Sequence, residues 1–487
     1  MTLQLFNVLG REKQPFTPII DGRVGMYVCG PTVYEHSHLG HAKTYVSFDV
    51  VARYLRWRGY ELLYVQNITD VGHLRENEED RVLVRAAQLN AKPMQVVETY
   101  TRSYFEDMDA LGVTRPDISP RASGHVPEQI EMIETLLKNG NAYIANGSVY
   151  FDVRSDDDYG KLSNRRVEEQ QDESRELIGG GKRHPADFAL WKRAEPEHIL
   201  RWNSPWGSGF PGWHIECSAM AKKYLGANFD IHGGGIDNIY PHNENEIAQS
   251  ECANHCAFAN YWMLTGSLNV LDPDEGIPVK MSKSLGNYIT IKDALKTWKP
   301  QTLRYFILTS HYRSPVVYGE AALAAAKSGC ERLTNARQLV LRQMNSAPEG
   351  EAGNGFLARL GKAQADFRAV MDDDFNSPRG IAVLQDLTRD VNSLLNSDVE
   401  LGADTLAAIN ATYQALGGDV LGLLGDEATD AGGDSQREAA LIEMLVEMRA
   451  QARAQRDYAR SDQIRDQLMA LGITLEDRAD GTLWKLA

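Results

Sequence analysis

Two short segments carry residue types suited to the phosphates of a nucleotide. One is His38-Leu39-Gly40-His41, which follows an apolar stretch containing Met26-Tyr27-Val28. The other is Lys280-Met281-Ser282-Lys283-Ser284, about half the chain later. Histidines at the start of a helix, behind a tight turn, can meet an α-phosphate, and the helix N-terminus adds partial positive charge. Gly40 leaves room for adenine or ribose to approach the backbone. Lysine is a mobile point charge on a long stem. It suits β- and γ-phosphates, whose charge rises as pyrophosphate leaves. Lys283 is the expected main ATP contact, with Lys280, His38 and His41 as its catalytic partners. Alone, the histidine segment reads as an ordinary surface turn, and the rarer lysine string can still be a solvated loop. Together, in this order and with the first in a strand–loop–helix setting, they read as functional phosphate-binding segments rather than as two solvated loops.

A second constellation is scattered. Cys29 lies nine residues before His38, and Cys217 lies in Pro211-Gly212-Trp213-His214-Ile215-Glu216-Cys217-Ser218. His242 and Glu246 follow, in Pro241-His242-Asn243-Glu244-Asn245-Glu246. An i, i+4 pair on a helix places His242 and Glu246 on one face. Two thiolates, an imidazole and a carboxylate make a plausible zinc site. Spacing alone leaves the alternative open, because free cysteines are commonly buried and inert. Cys252 and Cys256, with His255 beside them, form a rival i, i+4 pair that reads as helix-core packing. Cys330 reads as core.

The elements that must position these residues are legible in pattern. Val24 to Cys29 is apolar and β-prone, Gly30-Pro31-Thr32 breaks it, Thr44 to Trp57 has helical spacing, and Leu62 to Ile68 is a second β-rich run. This predicts a right-handed crossover in a parallel sheet. Met94 to Asn139 reads as helical. A β-rich stretch then includes Ser148 to Val153, and the polar run Ser155 to His184 reads as an insertion with a mobile loop. From about Thr302 the pattern is mostly helical. Ser346 to Gly355 and Gly425 to Asp434 read as linkers. Glu438 to Leu471 reads as one long helix before a small Gly-turn-β element.

At 487 residues the chain predicts two to four domains. Hydrophobic content of 43% and charged content of 24% are globular values. No apolar run is long enough to predict a membrane span. The start lacks the pattern of a secretory signal, so the cytoplasm is the expected compartment. Five cysteines argue against a disulfide framework. A formal net charge of −16 argues against non-specific nucleic-acid binding by the whole molecule, but leaves room for a local basic stripe.

These residues also carry a resemblance. The two phosphate segments resemble the ATP motifs of class I aminoacyl-tRNA synthetases. Further strings narrow the resemblance to the cysteinyl-tRNA synthetase family: Cys29 to Tyr34, Asn67 to Asp70, Asp187 to Lys192, Pro211 to Ser218, Asp230 to Gly235, and Lys280 to Asn287. The resemblance implies an α/β fold: a Rossmann-like parallel-sheet catalytic domain with an insertion, then mostly α-helical C-terminal domains. It implies Cys29, Cys217, His242 and Glu246 as zinc ligands, with Thr69 and Trp206 around a cysteine pocket. It implies L-cysteine, ATP with Mg2+, and tRNA(Cys) as substrates, and a monomer. Zinc favours thiolate, and so would separate cysteine from serine, which apolar pockets discriminate poorly. The family often shows two histidines after the proline at 241; here the second is Asn243. The acidic stretch Glu76 to Asp80 and the turn Asp272 to Gly276 look like loop variation.

The expected division is 1–115 and 206–270 as halves of the catalytic domain, 116–205 as a connective insertion, 271–345 as a stem-contact region, 356–425 as a helical bundle, and 436–487 as an anticodon-binding domain. Asp372 to Asp374 reads as an exposed turn in that bundle. In the tail, Arg449, Arg453 and Arg465, with Asp462 beside them, read either as a solvated helix or as tRNA contacts. The tail favours a tRNA substrate over the amino sugar used by a related ligase of mycothiol biosynthesis. Intact His38, His41, Lys280 and Lys283 argue against a non-catalytic tRNA-binding paralogue.

Overall fold

The computed structural model describes residues 2–72, 80–165, 181–195, 198–272, 276–281, 286–425, 433–478 and 481–486. Four strands form a wholly parallel sheet, in the spatial order Ala259–Thr265, Phe229–Gly235, Arg23–Val28, Glu61–Gln66. Met26, Tyr27, Val28 and Ile231 are buried without remainder, as a sheet covered on both faces requires. The helix Leu39–Trp57 crosses from the Arg23 strand to the Glu61 strand; the helix Glu244–Asn254 crosses from the Phe229 strand to the Ala259 strand. The crossovers therefore diverge from the central pair. A crevice at the C-terminal ends of such a pair is where doubly wound sheets bind ligands. Here the pair is tied by the Cys29 N–H donating to the Gly233 carbonyl at 2.9 Å.

The first helix starts earlier than its apolar pattern predicts, at Leu39 rather than Thr44. Polar groups of the histidine segment build its first turn. His38 Nδ1 accepts from Gly40 N–H at 2.9 Å, and His38 N–H donates to His41 Nδ1 at 3.2 Å. The predicted helical block Met94–Asn139 is two helices, Pro93–Ala110 and Val126–Asn139. Between them a Pro116- and Pro120-containing stretch runs extended, with Ile118 and Arg121 bridging to Val65 and Ile68. A five-stranded antiparallel sheet follows, ordered Ala142–Ala145, Ser148–Phe151, Phe188–Arg193, Gly207–Pro211, Trp202–Ser204. It has its own core of Val149, Phe151, Leu190 and Trp191. Most of the mobile loop predicted within 155–184, residues 166–180, lies outside the described residues, as do 76–79 of the acidic stretch and 273–275 of the predicted turn.

The chain turns helical from Ile291, somewhat before Thr302. The helices Glu320–Met344, Leu357–Met371, Ser377–Leu395 and Ala403–Tyr413 pack together. Cys330 is buried among them. Asp372 and Asp374 are buried rather than exposed. Asp374 accepts from Phe6 N–H, Tyr312 Oη and Arg313 Nε at 2.7–2.8 Å. Asp372 accepts from Tyr54 Oη at 2.6 Å and pairs with Arg58. Their partners come from three distant segments, so the turn is a junction of the fold.

Residues Gly425–Ala487 form a second compact unit, apart from Met1–Leu424. Residues 426–432 of the predicted linker lie outside the described residues. The single long helix predicted here is two, Gly433–Ala454 and Tyr458–Ala470. Arg456 takes a left-handed φ of 63°, and Asp457 restarts the helix by accepting from Arg460 N–H. A hairpin of Ile473–Arg478 and Gly481–Leu486 closes the unit. Among the described residues, no helix is long and apolar enough to cross a membrane.

Candidate active site and metal centre

A cleft of about 670 Å³ opens at the C-terminal ends of the parallel strands. Cys29, His38, Gly40, His41, Thr69, Cys217, His242 and Lys280 line it. Cys29 follows the central strand Arg23–Val28, Cys217 sits on the helix Trp213–Leu225, and His242 lies in the tight turn before the helix that carries Glu246. One donor atom from each of Cys29, Cys217, His242 and Glu246 lies within 4.8 Å of all the others, and all four residues are buried. Glu246 Oε1 is 2.8 Å from His242 Nε2 and 3.6 Å from Cys29 Sγ. Tetrahedral zinc takes three or four protein ligands, drawn from thiolate, imidazole and carboxylate at ~2.0–2.3 Å, so the set fits the metal.

The electrostatics support that fit. Burial, with Cys29 and Glu246 adding to it, pushes the Cys217 thiol well up. The hydrogen bond with Cys217 pulls the Cys29 thiol down, but burial and Glu246 outweigh it and the thiol also rises. Burial opposes protonation of His242, yet Glu246 and Cys217 carry its imidazole up to about 10. Donors that crowd acidic groups together in this way are relieved by a divalent cation, whose binding displaces their protons. The other ring nitrogen of His242 lies 3.0 Å from His214 Nδ1, which orients the ring.

The histidine segment forms the opposite wall. The rings of His38 and His41 stack with centroids 3.9 Å apart. Burial lowers His38 to about 4 and His41 well below its ordinary value. Both are therefore neutral, and each Nδ1 accepts a backbone N–H, so each proton resides on Nε2. Two fixed N–H donors at a helix N-terminus make a cradle for a phosphate oxygen. Gly40 has a second reason besides nucleotide approach: a Cβ there would meet the His38 ring at 2.6 Å.

The second motif is joined to the first. Thr290 bridges His38, Leu39 N–H donates to the Ile289 carbonyl at 3.1 Å, and Ile291 N–H donates to the Ser37 carbonyl at 2.9 Å. Lys280 ends the strand Pro278–Lys280, with its ammonium 2.6 Å from Asp237 Oδ1. Lys283, with Ser282 and Ser284, lies outside the described residues.

Other expected residues are placed differently. Thr69 is buried at the cleft, accepting from Asn67 Nδ2 at 3.0 Å. Trp206 packs edge-on against Trp191 in the five-stranded sheet and is not among the residues lining the cleft. Cys252 is half-buried, and Cys256 is exposed beyond the helix end at Asn254, so the rival pair is not a helix core. In the second unit the buried Arg449 grips Asp477 with two bonds of 2.6 and 2.8 Å, and Arg453 reaches the same carboxylate at 2.7 Å. Arg465 is half-exposed between Asp462 and Asp466, 3.5 and 3.4 Å away.

Pattern alone missed His232 and Asp237. His232 Nε2 lies 2.7 Å from Glu246 Oε2, and its ring stacks on Trp262 at 4.2 Å. Nothing in the spacing of His232 and Glu246 signals this contact, which depends on the crossover between two strands.

The sequence matches the family described as the class I (C) tRNA synthetase catalytic domain over residues 15–328, and the DALR domain over 366–425. A cysteine–tRNA ligase of Deinococcus radiodurans is 47% identical over 489 residues, covering 99% of this chain and 96% of that one. One of Thermus thermophilus is 45% identical and covers all of both chains.

The chain belongs to the cysteine–tRNA ligase family.

The family reaction is aminoacylation, and its members are ligases of translation. At the level of fold, Mycobacterium tuberculosis methionyl-tRNA synthetase in complex with methionyl-adenylate superposes with a TM-score of 0.56 at 16% identity, covering 82% of this chain and 91% of that one.

Proposed function

We propose that the cleft activates L-cysteine with ATP, as cysteinyl-adenylate, and passes the cysteinyl group to the terminal adenosine of tRNA(Cys). The observation that carries this is the four-donor cluster at the foot of the same cleft whose wall is the histidine cradle. Cys29 and His38 lie on one strand–loop, so selection of the side chain and activation of the carboxylate share a support.

Cys29, Cys217, His242 and Glu246 are the residues that would hold zinc. Bound there, zinc supplies a soft partner for a thiolate, which an alcohol does not match. Thr69, and more remotely Trp206, would bound the side-chain pocket. His38 and His41 would donate hydrogen bonds from Nε2–H to the α-phosphate as negative charge builds there, keeping their protons. Magnesium would accompany the ATP. Lys280, held at the rim by Asp237, and Lys283 would pair with the departing pyrophosphate. The 2′- or 3′-hydroxyl of the tRNA end then takes the cysteinyl group, releasing AMP.

The division that goes with this function is a catalytic fold of 1–115 and 206–270, an insertion of 116–205, a stem-contact region of 271–345, a helical domain of 356–425, and an anticodon domain of 436–487. In that last domain Arg453, Arg465 and Asp462 are the exposed candidates for tRNA, and Arg449 joins them as the residue that shares Asp477 with Arg453. A cytoplasmic monomer is the accompanying expectation.

The test is cysteine-dependent charging of tRNA(Cys), with serine as the control amino acid and the amino sugar of mycothiol as the control acceptor. Charging of tRNA(Cys) with cysteine alone is expected. Charging of the sugar and not the tRNA would overturn the proposal.

A further inference from the structure

Asn243 follows His242 directly, at the start of the helix that carries Glu246, and it is wholly buried. Its amide touches two of the four donors. Nδ2 lies 3.7 Å from Cys29 Sγ and 3.3 Å from Glu246 Oε2. Its Oδ1 is buried with no hydrogen-bond partner among the described residues. An amide flipped about its axis would set an acceptor against a sulfur and a carboxylate, so the neighbours fix which end faces them. Leaving a buried oxygen unpaired is costly, and among the described residues the hydrogen bonds of this amide run through Nδ2 towards the cluster.

We propose that Asn243 is a positioning residue of the metal centre: its N–H groups draw charge from the Cys29 thiolate and hold Glu246 Oε2, leaving Oε1 as the donor that faces Cys29 and His242. The inference rests on the reading that Cys29, Cys217, His242 and Glu246 hold zinc. A hydrogen bond to a ligating sulfur lowers the electron density it gives to the metal. The metal then keeps more of its acidity for an incoming thiolate. Carboxylate and sulfur are governed by one side chain, so its replacement alters both together.

The experiment uses the full chain loaded with cobalt(II) in place of zinc, and reads the thiolate-to-cobalt charge-transfer band in the near ultraviolet. In Asn243→Leu the band moves to lower energy, because the sulfur electrons are less tightly held. Metal affinity falls by ~10-fold, the lower end of the range for lost partners of metal ligands. ATP affinity stays unchanged, which reports an intact fold. Asn243→Asp keeps the shape without the N–H groups, and moves the band the same way where leucine is not accommodated. Asn243→His restores a donor and keeps the band near its original position.

Unmoved band and affinity in Asn243→Leu and Asn243→Asp would overturn the inference. So would a shift in Asn243→His as large as in Asn243→Leu. Absence of any thiolate-to-cobalt band in the unaltered protein would instead overturn the zinc reading beneath it.

Discussion

His232 Nε2 stands 2.7 Å from Oε2 of Glu246, with both side chains at 0% exposure. His232 comes from a central strand and Glu246 from the helix that follows it, so the contact locks a crossover to the floor of the cleft. His242 and His232 together hold the Glu246 carboxyl well below its ordinary range, against a burial that would raise it. With Oε2 turned towards His232, Oε1 is the oxygen left facing His242 and Cys29. His232→Ala is therefore expected to weaken zinc by ~10–100-fold, the usual consequence of losing a ligand's partner. Metal titration against a chelator measures it, and an unchanged dissociation constant would remove His232 from the site.

The neutral state of the histidine cradle has a consequence in pH. His38 is lowered to about 4 by burial, then adjusted upward by Asp237 and downward by Lys280. The folded chain stays unprotonated there while the unfolded chain takes a proton near 6.5. Stability from this residue is thus complete above about pH 6.5 and drains as pH falls towards about 4. Cysteine-dependent ATP–pyrophosphate exchange should show no His38 inflection near 6.5. An acid limb at that pH, present in the unaltered enzyme and absent in His38→Gln, would mean that the cradle works as an imidazolium.

Much of this site was visible in the chain before its fold. The types and order of Cys29, His38, His41, Cys217, His242, Glu246 and Lys280 signal the chemistry. Their convergence follows from placing Cys29 and the Gly233–Gly235 strand end side by side. His232 was not legible, because a buried histidine beside three glycines looks like packing until the strand beside it is known. The Asp372–Asp374 turn was misread for a related reason. Three adjacent carboxylates look solvated, and the Tyr54, Arg58, Tyr312 and Arg313 that cover Asp372 and Asp374 lie far away in sequence. Arg456 hid the helix break in the tail, since a non-glycine residue at positive φ leaves no mark in an apolar pattern.

That turn gives a stability prediction. Asp374→Ala leaves Arg313 and Tyr312 without their acceptor and frees the Phe6 amide. Loss of a buried acceptor serving several donors costs on the order of 3 kcal/mol. Urea denaturation of the full chain measures it. A change below about 0.5 kcal/mol, the usual effect of a surface substitution, would contradict the junction role.

Asp49 and Arg304 make a second buried pair, between the helix Leu39–Trp57 and the helix Pro300–Leu308. Arg304 also donates to the Leu421 carbonyl at 2.7 Å, and Asp49 accepts from Thr114 N–H at 2.9 Å. Asp49→Ala strands a guanidinium in the core and should cost ~3–5 kcal/mol. Arg304→Met in the same chain should recover part of that loss, because it removes the stranded charge. A double variant less stable than Asp49→Ala would show that Arg304 matters through its carbonyl contacts instead.

The central claim is that the four-donor cluster selects cysteine through zinc. The most direct measurement is the dissociation constant of L-cysteine, by calorimetry, for the zinc-loaded chain and for the same chain after chelation. ATP affinity on both serves as the check on folding. The account predicts a cysteine affinity at least ~100-fold weaker without zinc, no better than that for serine, with ATP affinity unchanged. Equal cysteine affinity in the two states would contradict it.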